Sequence, residues 1–108
     1  MPVSVCPAAL VAAPPDRVWR LLTDPALYDS WADAQVMAVE PPGPIHVGQR
    51  IRMRSRGRGR WWPVDFLVLG IDRDRRWLEL DVVLPFGIVN HERITLDPYE
   101  QDTLVRFN

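Results

Sequence analysis

Ala12-Ala13-Pro14-Pro15-Asp16-Arg17-Val18-Trp19-Arg20-Leu21-Leu22-Thr23-Asp24-Pro25-Ala26-Leu27-Tyr28-Asp29-Ser30-Trp31 sets the order of everything around it. The proline pair ends an apolar run and opens a helix. Proline is tolerated in a first helical turn, and Asp16 complements the positive N-terminal dipole. Val18, Trp19, Leu21 and Leu22 recur near the helical period, so the pattern predicts a helix over 15–23. Thr23-Asp24-Pro25 then caps a second short helix, 24–29, leading to Tyr28 and Trp31.

Upstream, residues 3–13 are apolar and read as a first strand, with Cys6 a small buried hydrophobe. The run lacks a basic leader and is broken by Pro7, so it does not read as a signal peptide. Downstream, the pattern is strands. Residues 34–40 form one, and 49–56 alternate Arg with Ile51, Met53 and Ser55. Gly57 and Gly59 mark a turn into 61–71, where Trp62, Val64, Phe66 and Val68 share a face. Leu78, Leu80, Val82 and Leu84 share a face of 76–84, opposite Trp77, Glu79 and Asp81. Pro85-Phe86-Gly87 breaks the ladder, and 88–97 and 103–108 follow, joined by a turn at Asp97-Pro98-Tyr99-Glu100. The order β, α, α, then about six β predicts an α+β fold: a curved antiparallel meander with two short helices on part of one face.

Composition excludes several classes. The 108 residues fit one domain, 47% apolar and 25% charged. A net charge of −1 gives no global pull toward nucleic acid or anionic membrane. No apolar run approaches the roughly 18 residues of a membrane span. One cysteine forbids an intrachain disulfide and points to a cytoplasmic protein. The basic residues are all arginine, which fits a GC-rich bacterial genome.

The stretch 12–31 resembles the opening of START-like (SRPBCC) proteins, the polyketide cyclase/dehydrase and lipid-transport group. The shared features are a strand, a Pro/Ala-rich turn, Val18-Trp19 with Leu21-Leu22-Thr23-Asp24-Pro25, and Trp31 entering the second strand. Val47-Gly48-Gln49 before an alternating strand also fits. The resemblance implies a helix-grip fold, in which about seven strands wrap a long C-terminal helix over a cavity for apolar ligands. This sequence reaches Asn108 on its seventh strand, so that helix is absent from it. The expectation is a single START-like domain, 1–108, shortened at its C-terminus. Alternatively, a second copy (a homodimer), a ligand or a partner helix covers the groove.

Candidate chemistry is sparse. In 88–97, Ile88, Asn90, Glu92, Ile94 and Leu96 share one face; Val89, His91, Arg93 and Thr95 share the other. If Ile94 and Leu96 point inward, Asn90 and Glu92 enter the cavity, where a carboxylate suits acid–base work or holds a ligand hydroxyl. If they sit at the strand mouth, or a bulge flips the register, they meet water. The expected ligand-binding set is Trp31, Trp62, Val64, Phe66, Leu80, Val82, Asn90 and Glu92, with Trp19 in the core. Asn90 and Glu92 are the only catalytic candidates. His46 and His91 have no partner at metal spacing, so no metal or other cofactor is expected. The alternating Arg50, Arg52, Arg54, Arg56, Arg58 and Arg60 read as a solvated outer face paired with Asp65, Glu79 and Asp81, rather than as a nucleic-acid stripe. The leading functional reading is a binder of an apolar small molecule. Alternatives are a polyketide cyclase or aromatase, and an interaction module.

Overall fold

The computed structural model describes residues 8–30 and 34–107. One seven-stranded antiparallel sheet runs in the order β1-β7-β6-β5-β4-β3-β2. Its strands are β1 (Ala8–Val11), β2 (Gln35–Glu40), β3 (Arg50–Gly57), β4 (Arg60–Asp72), β5 (Trp77–Val83), β6 (Val89–Tyr99) and β7 (Asp102–Phe107). Helix α1 (Pro15–Thr23) and a 3₁₀ segment (Pro25–Ser30) connect β1 to β2. This is the expected START-like α+β architecture, with no helix after β7 among the described residues. Cys6 and Trp31, and the expected strand residues before Ala8, lie outside the described residues.

Several boundaries move. The second helix is 3₁₀ in form, and Asp24 caps it by accepting a hydrogen bond from the Ala26 N–H at 3.1 Å. The turn expected at 97–100 lies farther on: β6 continues through Asp97, Pro98 and Tyr99, which pair with β7. The ladder tolerates Pro98 because β5 pairs with β6 only as far as Thr95, which leaves the far end of β6 a local edge where proline is accommodated.

The core follows from strand parity. Ile51, Met53, Val68, Leu78, Leu80, Ile94, Leu96 and Val105 are buried on one face and meet Val18, Leu22 and Tyr28 from the helical side. Trp19 is partly buried against this cluster. Each such aliphatic side chain contributes roughly 1.5–3 kcal/mol by leaving water. The Tyr28 hydroxyl donates to the Leu22 carbonyl at 2.6 Å, and its ring meets Phe66 edge-on at 6.2 Å. Burial, with help from the negative Asp24, pushes the phenol pKa well above its ordinary value, so Tyr28 stays neutral. Thr103, also buried, donates to the Ala13 carbonyl at 2.7 Å and ties the entry of α1 to β7.

The proline-rich β2–β3 loop is part of the core. Ile45 is fully buried, its N–H donating to the Thr23 carbonyl at 3.0 Å. Gln49, equally buried, donates through its amide to the carbonyls of Pro41 and Gly43, each at 3.0 Å. Proline has no N–H, so a loop rich in it can be held chiefly through its carbonyls. Replacing Gln49→Ala strands those acceptors. The expected loss is about 1–3 kcal/mol in a urea titration; an unchanged midpoint would contradict the clamp.

Candidate functional site

The inward faces of β4, β5 and β6 and the side of the α1–3₁₀ unit enclose a partly open cavity of about 220 Å³. Leu22, Tyr28, Phe66, Leu78, Leu80, Val82, Glu92, Ile94 and Phe107 line it. Register explains the company Glu92 keeps. Leu78 faces Ile94, Leu80 faces Glu92, and Val82 faces Asn90 across β5 and β6. Side chains alternate along a strand, so burying Ile94 and Leu96 puts Glu92 on the same face. Glu92 is half-buried and is the one ionisable carboxylate of the lining. Among the described residues no hydrogen bond or ion pair engages its side chain.

A second depression, about 410 Å³, lies one inward position farther along the same strands. Val64 and Trp62 succeed Phe66 on β4, and Leu84 succeeds Val82, with Pro85, Phe86 and Ile88 closing one side. The cavity alone is smaller than the roughly 300–1,000 Å³ of drug-sized sites, and the depression, which shares no lining residue with it, lies next along the same face.

The candidate residues therefore separate. Phe66, Leu80, Val82 and Glu92 line the cavity, while Trp62 and Val64 line the adjoining depression. Asn90 has the inward register but is exposed and lines neither space. Leu22, Tyr28, Leu78, Ile94 and Phe107 also line the cavity. Their sequence signal was the ordinary core pattern, which does not separate a packed position from a cavity wall. No group of three potential metal ligands converges among the described residues.

The convex face corrects the charge pairing. Asp65 does stand opposite Arg52. Glu79 and Asp81 do not pair with the arginine stripe, because β4 lies between β3 and β5 and sets them about 9.6 Å apart. They hold His91 instead, at 2.8 Å from Nε2 and 2.9 Å from Nδ1. Arg54 bonds Gln35 at 2.7 Å and lies 4.2 Å from the Trp61 ring centre; Arg93 covers Trp77 at 4.5 Å.

A curved antiparallel sheet, two short helical segments between its first two strands, and an apolar hollow beneath them define a START-like helix-grip protein. The chain belongs to the family described as "Polyketide cyclase / dehydrase and lipid transport", whose model matches residues 3–108. No curated protein matches it in sequence. Among solved structures it resembles protein Ms6760 from Mycobacterium smegmatis, with a TM-score of 0.75, 15% identity, and coverage of 94% of this chain and 68% of that one. It also resembles ginseng major latex-like protein 151 from Panax ginseng (TM-score 0.71, 13% identity, 95% and 74% coverage). A third is DynU16, from the dynemicin biosynthetic locus (TM-score 0.68, 23% identity, 95% and 35% coverage). At these identities the likeness is one of fold. No described helix is long and apolar enough to cross a membrane.

Hydrogen bonds that the His91 ring donates to Asp81 and then to Glu79 raise its pKa above the ordinary 6.5. A raised pKa stabilises the fold fully below the unfolded value, and that benefit is lost as pH rises through the folded pKa. The midpoint lost on His91→Gln is therefore expected to be larger at about pH 6 than at about pH 9. An equal loss at both would contradict the arrangement.

Proposed function

We propose that this chain binds an elongated apolar small molecule, with Glu92 receiving a hydroxyl or amine donor on it. The observation that carries this reading is the composition of the cavity: eight of its lining side chains are apolar or aromatic, and the ninth is a carboxylate with no described partner. A half-buried carboxylate in apolar surroundings is satisfied by a donor, and a ligand that brings one is favoured over its deoxy analogue. Phe66, Leu80 and Val82 form the walls; Trp62 and Val64 extend them for a longer ligand. The family description, which couples polyketide cyclisation with lipid transport, supports an apolar guest of either kind.

Glu92 also supports a second reading. A polyketide cyclase would gain rate by folding a flexible chain against the walls, and Glu92 would remove a proton from a carbon flanked by carbonyls. The two readings separate on Glu92→Gln. A carrier keeps most of its affinity, because the amide oxygen still accepts a hydrogen bond, whereas a cyclase loses turnover by about 10²–10⁴-fold.

The primary test is displacement of a fluorescent fatty alcohol. Wild-type protein is expected to bind it, and Val82→Trp, which fills the hollow, to weaken binding at least about tenfold while melting as wild type does. Equal binding by the two proteins would remove the cavity from the account. A fatty alcohol is expected to bind more tightly than the matching alkane by about 1–3 kcal/mol.

A further inference from the structure

We propose that the end of the sheet formed by the β3–β4 hairpin and the β5–β6 loop docks on an anionic lipid bilayer. The two segments are adjacent: the Trp62 and Phe86 rings lie 5.9 Å apart, and both line the depression that extends the cavity. Residues 54–64 and 84–90 contain four arginines and no acidic residue, in a chain whose net charge is −1. The rest of the chain is therefore acidic, and the positive charge is gathered at this end.

Much of the apolar surface of the same end stays in water. Phe86 is 87% exposed, Ile88 51% and Val89 54%. Phe86 is held at φ 67, in the left-handed region, which a bulky side chain rarely occupies and which favours glycine or asparagine. The loop thus holds an aromatic ring in water at a position where a smaller residue would relieve strain. Arg58 and Gly59, at φ 51 and 74, form the tight hairpin turn that carries the arginines out beside it.

Aromatic and aliphatic tips flanked by arginine fit the bilayer interface, where rings enter the headgroup–acyl boundary and guanidinium groups meet phosphates. A single-stranded nucleic acid would also meet positive charge, but it needs open ring faces for stacking. The two tryptophans are engaged, with Arg54 and Arg56 lying 4.2 and 5.6 Å from the Trp61 ring centre and Arg60 4.5 Å from that of Trp62, which leaves Phe86 as one open ring rather than a row of stacking platforms. The exposed aliphatic pair Ile88 and Val89 offers nothing to a base and suits acyl chains. Docking here would point the open end of the apolar depression at the membrane.

The test is co-sedimentation of the chain with vesicles of phosphatidylcholine containing 30% phosphatidylserine, at low and high salt. The wild-type chain is expected to partition onto these vesicles despite its net negative charge, to ignore pure phosphatidylcholine, and to be released by salt. Replacing Arg56, Arg58 and Arg60 together by Gln should lower the partition coefficient about fivefold per charge removed. Phe86→Asn should lower it about tenfold, with a melting temperature equal to or above that of wild type, since asparagine accepts positive φ. Val82→Trp should dock unchanged, so that failure of cavity binding and failure of docking are distinct results. Absence of partition at low salt, or Phe86→Asn binding as wild type does, would overturn the proposal. So would tighter binding to a single-stranded oligonucleotide than to the vesicles.

Discussion

Burial of Ile94 and Leu96 fixes the face on which Glu92 stands, and much of the site's chemistry follows from that parity. A carboxylate would ordinarily choose water. Here the two residues beyond it carry several kcal/mol of apolar burial, and a one-residue slip of β6 would turn them outward. The strand cannot satisfy Ile94 and solvate Glu92 fully at once. The result is a hollow of apolar side chains with a single acceptor at its wall.

The helical side completes the hollow without filling it. α1 and the 3₁₀ segment supply Val18, Leu22 and Tyr28 to the core, and the buried loop residues Ile45 and Gln49 support them. Nine residues of α-helix cover only part of a seven-stranded face. The uncovered remainder continues past Phe66 and Val82 to Val64, Trp62 and Leu84, where the sheet ends in arginines and the exposed Phe86. Cavity, extension and charged tip are therefore successive stations along the same two strands.

Much of this was legible in the residue pattern, for a physical reason. Side-chain alternation has a period of two, so Trp62, Val64, Phe66 and Val68, and then Leu78, Leu80 and Val82, declare a shared face before any pairing is known. The 12–31 stretch declares its helix and turn by proline placement and capping. What the pattern does not contain is which strand neighbours which. That is why Glu79 and Asp81 were expected beside the arginine stripe and instead hold His91: partner choice depends on sheet order, not on spacing. Ile45 was hidden for a similar reason, since a lone isoleucine in a proline-rich loop has no periodic company. Asn90 and Glu92 look equivalent in sequence, yet only Glu92 lines the cavity, because Asn90 lies nearer the exposed start of β6.

The central claim is that the hollow shelters an apolar guest, and native mass spectrometry of the purified chain addresses it directly. The account predicts a mass in excess of the polypeptide that is retained under gentle ionisation, lost on denaturation, and identified as an apolar molecule bearing a hydroxyl or amine. A chain that remains at its bare mass after exposure to a mixed extract of such lipids and polyketides would contradict it.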